Sequence, residues 1–186
     1  MKSKNMKYII ILVCLLASSI LNLKLWNDQS TITESEIMDF GSRDDSPKSL
    51  QVFYNIEKYS TEYNIPKYIA YNISYLETRY RGPYQWDYSP KSSISGASGP
   101  MQIMVSTSRL INKSNHSKDR LKNDIPYNIQ TGMKLLRILH DKYGDWGKAC
   151  GAYNTGKPVI NSYAEFCINN KDYKKNWINL KSYDKY

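Results

Sequence analysis

The stretch NIQTGMKLLRILHDKYGDWGK, residues 128–148, decides the fold. It sets Ile129, Met133, Leu136, Leu139 and Tyr143 at steps of three and four, one continuous apolar stripe of helical period. Gly144 ends the stripe as a C-terminal cap residue. Asp145 is placed to cap a second, short helix carrying Trp146, Ala149 and Tyr153, which Gly156 and Pro158 stop. No part of the chain sustains a period-two alternation and no segment repeats, so the expected class is mainly α.

Towards the N-terminus, Ile65, Ile69, Ile73 and Leu76 share one helical face, with Asn64 as the expected N-cap and Pro66 in the first turn, where its missing N–H costs nothing. That stripe runs directly into Glu77. Val52, Ile56 and Tyr59 mark a helix before it. Residues 80–100, rich in Tyr, Pro, Ser and Gly, read as a long loop. A helix is expected from about Met101 to Asn112, then a polar loop through Asp124.

Before residue 50 the pattern changes. Lys2, Lys4 and Lys7 precede an apolar run of 14 residues from Tyr8 to Leu21. That order is read by export machinery, and the run is shorter than the roughly 20 residues of a spanning helix. Residues 1–22 are therefore expected to be a signal peptide, with Ala17, Ser18 and Ser19 for cleavage, or a membrane anchor. Residues 23–49 are polar and lack periodicity, as in a linker, which leaves 50–186 as one folded domain.

The chain carries a formal charge of +9, and removing residues 1–21 takes away three lysines. The exported part is still basic, which suits anionic lipid or an anionic wall polymer, whereas export leaves nucleic acid the poorest fit. Cys150 and Cys167 remain after the signal, in a compartment where disulfides persist, and are expected to pair. His116 and His140 stand alone and no CxxC is present, so neither a metal nor an organic cofactor is expected.

Three segments in fixed order carry a resemblance: Tyr75-Leu76-Glu77-Thr78, Gly96-Ala97-Ser98-Gly99-Pro100-Met101-Gln102-Ile103-Met104 and Ala152-Tyr153-Asn154-Thr155-Gly156. Joined by residues 128–148, they resemble the transglycosylase domain of soluble lytic transglycosylases over roughly residues 50–160. The chain departs from that pattern at Thr78 (usually Ser), Pro100 (Leu), Thr155 (Ala) and Val105 (Pro), and its stretch after Glu77 is longer. The resemblance implies a lysozyme-like fold after the N-terminal segment and peptidoglycan glycan strands as substrate. It implies cleavage between N-acetylmuramic acid and N-acetylglucosamine with a 1,6-anhydro product.

A carboxyl beside Ile73 and Leu76 on a buried helix can stay protonated near neutrality and protonate a poor leaving oxygen, so Glu77 is the candidate catalytic residue. By resemblance it is also the base that takes the muramic 6-hydroxyl proton. Met101 and Gln102 are candidate substrate contacts, an apolar surface and an amide for an acetamido group. Ser93, nine residues before Gln102, joins them by resemblance, alongside Tyr153 and Asn154 across the cleft and Tyr173 downstream. Asp87 is the nearest second carboxylate and matches no family position. A hydrolytic muramidase would need such a group. A non-catalytic wall-binding module of a secretion or conjugation apparatus would need none of these residues. Export places the protein in the periplasm or cell envelope.

Overall fold

In the computed structural model of the protein, residues 33–114 and 117–178 are described. Among them lie α1 (Glu34–Gly41), α2 (Lys48–Glu62), α3 (Lys67–Thr78), α4 (Val105–Asn112), α5 (Lys118–Asn123), α6 (Ile125–Tyr143), α7 (Trp146–Thr155) and α8 (Ser162–Asn169), then a 3₁₀ turn at Tyr173–Asn176 and no strand. The architecture is mainly helical, as the periodicity requires. The signal or anchor expected at residues 1–22 lies outside the described residues; among those described, no helix is long and apolar enough to cross a membrane.

α6 is the centre. The Asp124 carboxylate accepts from the Tyr127 N–H at 3.0 Å and caps its start, and Gly144 closes it in the left-handed conformation at φ 66°. Ile125, Ile129, Met133 and Leu136 are completely buried, each contributing about 1.5–3 kcal/mol relative to exposure. α2 packs along one side through Val52, Phe53 and Ile56, and α7 returns against α6. α7 begins at the expected Asp145 cap and ends at Gly156.

The structure departs from the sequence reading in five places. The stretch expected as a linker holds α1, whose Ile37 joins the core; a helix with one buried apolar side chain shows no stripe. Asn64 is not the cap of α3: it stands in the left-handed region at φ 51°, which Asn tolerates, and Pro66 takes the cap position. The helix expected from Met101 begins only at Val105, because Gln102 at φ 47° turns the chain and Ile103 bonds back to Ser98. α5 interrupts the loop expected before Asp124, started by the Ser117 hydroxyl and anchored by Leu121. Cys150 of α7 and Cys167 of α8 are free, buried thiols rather than a disulfide. The two thiols share a hydrogen bond, and that contact together with burial pushes the Cys167 thiol up.

α3 meets α8 in a seam that runs in opposite senses along the two helices. The Asn72 amide, near the middle of α3, donates to Cys167 O at 3.0 Å and Asn170 O at 2.9 Å. Tyr75 stacks on Phe166 with ring centroids 5.7 Å apart. At the last turn of α3, the seam arrives at Glu77 and Tyr163.

Candidate active site

The α3 stripe of Ile69, Ile73 and Leu76 turns one face of the helix into the core and brings Glu77 to its edge, half-buried. The Tyr163 phenol donates to Glu77 Oε1 at 2.7 Å. Burial raises the Glu77 pKa above the ordinary glutamate value, and the Tyr163 hydrogen bond, which favours the carboxylate, pulls it partly back. Two opposed influences therefore act on one carboxyl: a partly dry setting that holds its proton and a phenol that steadies the charge once the proton has gone. Burial also raises the Tyr163 and Tyr153 phenols well above their ordinary range, with the Glu77 charge second, so both are fixed as donors.

Residues 79–104 wrap the end of α3. Arg79 closes the helix in the left-handed region at φ 60°, its N–H donating to Tyr75 O at 2.8 Å. The chain returns through Tyr88, whose buried phenol shares a 3.0 Å hydrogen bond with the Thr78 hydroxyl. Thr78 and Ser74 both donate to Pro100 O at 3.3 Å, so the Gly-Ala-Ser-Gly segment is tied to the two turns that present Glu77. Asn128 of α6 holds that segment from the other side. Its Oδ1 accepts from Met101 N at 2.9 Å, and its Nδ2 donates to Ser98 O at 2.8 Å and Leu121 O at 2.9 Å. A side chain on Gly99 would stand 2.3 Å from Leu121 O and 2.4 Å from Asn128 Nδ2, and Gly99 has φ 78°, so only glycine fits.

The candidate substrate residues fall into distinct settings. The Tyr153 phenol donates to Met101 O at 2.6 Å, joining α7 to the loop. The Met101 side chain is completely buried against Gly132 of α6, so it serves the core. The Gln102 amide N–H groups go to Lys91 O at 2.9 Å and Gly99 O at 3.0 Å, leaving Oε1 as the atom to accept from a ligand. The Ser93 hydroxyl accepts from Ala97 N at 3.0 Å and pairs with Ser95, closing a turn. Asn154 is exposed and accepts from Asn161 at 3.2 Å. Tyr173 stacks on Tyr71 at 4.8 Å in an aromatic group with Trp177 and Tyr80. Asp87 is exposed in the loop.

Tyr153, expected across the cleft from Glu77, bonds to Met101 O in the structure, and it is Tyr163 that makes the hydrogen bond to the carboxylate. Its signal was the Asn161-Ser162 start of a helix followed by Tyr163 and Phe166 one turn apart, a pattern hidden among short polar residues.

The sequence that builds this site has a counterpart among known families. The family model of the Transglycosylase SLT domain matches residues 54–177. The chain belongs to that family. The match begins in α2 and extends past the 3₁₀ turn, so the SLT domain takes in the seam, Glu77, Tyr163 and the aromatic group. A search of curated proteins finds no match. Membership makes this a peptidoglycan-acting protein of the lytic transglycosylase type, with a lysozyme-like helical fold.

Proposed function

We propose that the protein cleaves the glycosidic bond between N-acetylmuramic acid and N-acetylglucosamine without consuming water, with Glu77 as its single acid and base. The observation that carries this reading is the half-buried Glu77 carboxyl, raised in pKa by burial and held by the Tyr163 phenol. Protonated Glu77 gives its proton to the glycosidic oxygen as the C–O bond breaks, and oxocarbenium-like charge develops on the muramic ring. The Glu77 carboxylate, steadied by Tyr163, then takes the proton of the C6 hydroxyl while that oxygen bonds to C1. The products are a 1,6-anhydro end and a free N-acetylglucosamine hydroxyl, and Glu77 is again protonated. The 6-hydroxyl belongs to the reacting sugar and gains from proximity, so no second carboxylate is required. Gln102 Oε1 and the Tyr153 side of the cleft are assigned to the acetamido group and the sugar hydroxyls.

Mass analysis of products released from purified sacculi tests this: anhydro ends, one water lighter than hydrolytic ends, are expected. Glu77→Gln keeps the shape, removes the proton donor and is expected to cost on the order of 10² to 10⁴ in rate. Reducing ends, with Asp87→Asn as inactive as Glu77→Gln, would replace this mechanism by that of a muramidase. The Lys2, Lys4, Lys7 and Tyr8–Leu21 pattern assigns the protein to the cell envelope, which fractionation of the full-length chain checks.

A further inference from the structure

Arg79 stands two residues beyond Glu77. It is exposed, yet it is held in place. Its backbone occupies the left-handed region at φ 60°, a strained choice for a residue with a side chain. Its guanidinium lies over the Tyr75 ring, 5.2 Å from the centroid, and Tyr75 in turn stacks on Phe166. Among the described residues, the ion pairs engage Arg43, Lys67, Arg120 and Arg137, and none engages Arg79. Beyond Phe166 the surface opens into a depression lined by Asn169, Asn170, Lys171, Asp172 and Lys175. Arginine, tyrosine and phenylalanine thus form a ladder along the outside of the α3–α8 seam, with an oriented, uncompensated guanidinium at the Glu77 end and two lysines at the other.

A neutral sugar has no use for such a guanidinium, whereas a carboxylate matches its planar fork with two parallel hydrogen bonds. Resting on the proposed action on peptidoglycan, we infer that this ladder is a subsite for the stem peptide of the muramic residue beside the scissile bond. Arg79 takes a peptide carboxylate there, and Lys171 and Lys175 lie along the peptide's path. The length of the ladder favours the peptide over the other carboxylate source on the same polymer, the lactyl group of a muramic residue that has lost its peptide, which would reach Arg79 alone.

The test reads binding rather than turnover, in Glu77→Gln protein, with three probes: sacculi fragments bearing intact stem peptides, the same strands stripped by an amidase, and neutral N-acetylglucosamine oligomers. Adding Arg79→Gly is expected to weaken binding of peptide-bearing strands about tenfold and to leave the other two unchanged. Arg79→Lys, which keeps charge but loses the fork, is expected to fall between. Lys171→Gln with Lys175→Gln is expected to cost two- to threefold, reduced further by salt. Glycine suits the left-handed backbone at position 79, so a melting temperature no lower than that of the Glu77→Gln parent separates loss of a contact from loss of fold. A loss confined to stripped strands overturns the peptide assignment in favour of the lactyl carboxylate. No loss, or an equal loss on neutral oligomers, overturns the subsite. Because binding is scored, these results stand whether wild-type products carry anhydro or reducing ends.

Discussion

α6 and the 79–104 loop touch through Asn128 and Gly132, yet opposite forces hold them. α6 is fixed by completely buried aliphatic side chains whose contacts are many and individually replaceable. The loop has few such anchors, Tyr80, Tyr88, Met101 and Ile103, and is held otherwise by single polar atoms. Tyr80 donates to Ser49 O at 2.8 Å, Gln85 Oε1 accepts from Arg81 N at 2.7 Å, and the Ser92 and Ser98 hydroxyls pair at 2.9 Å. Apolar packing degrades gradually, because a lost methyl leaves neighbours that can relax. A lost polar partner leaves a dry donor or acceptor with nothing to bond. The framework therefore tolerates loss by degrees, while the loop that wraps the Glu77 end of α3 depends on particular atoms.

The sharpest way to break this contrast is at Asn128, where both regions meet. Asn128→Leu should orphan Met101 N–H and Leu121 O and take from Ser98 O one of its two donors, the other being Ile103 N–H, at about 4 kcal/mol given 1–3 for each orphaned group. Urea unfolding checks the loss, and wall-clearing activity should vanish even in the folded fraction. Leu136→Ala in α6 should cost about 3 kcal/mol through the cavity it leaves, but activity per folded molecule should stay near wild type. If the two variants lose activity equally, the division between framework and loop fails.

Tyr163→Phe keeps the ring on α8 and removes the one hydrogen bond that lowers the Glu77 pKa. A several-fold rate loss is expected. Since the first step needs protonated Glu77, activity falls as pH rises through its pKa. Without the phenol that pKa climbs, and the alkaline limb of the pH–rate profile should move to higher pH. Tyr88→Phe, which breaks the loop's bond to Thr78, should cost about 1 kcal/mol and leave the pH profile where it was. The smallest expected effect is a gain. The folded pKa of Glu77 lies above its unfolded value, so its contribution is most favourable below the unfolded pKa and declines as pH rises through the raised one. Glu77→Gln should thus melt slightly higher than wild type near neutrality, with the difference shrinking towards acid pH.

The same contrast explains what could be read from residues alone. α6 and α7 were legible because their apolar spacing and end caps repeat a physical rule at every turn. Glu77 was legible because a stripe of three isoleucines and a leucine delivered it to a helix end. The start of α4 was not, since what stops a helix at Met101 is the left-handed Gln102 and the Ser98–Ile103 pairing, features fixed by long-range contacts. Tyr163 escaped for a related reason: one tyrosine among 17 gains its meaning only when α8 folds back on α3.

That fold-back links residues 86 positions apart in the chain. A polypeptide is made from its N-terminus, so Glu77 emerges and its helix can form long before the phenol that steadies it exists. Until α8 is complete, the nascent chain holds an acid without its partner. On the proposed function, the acid is therefore incomplete until α8, the last α-helix among the described residues, has been synthesised.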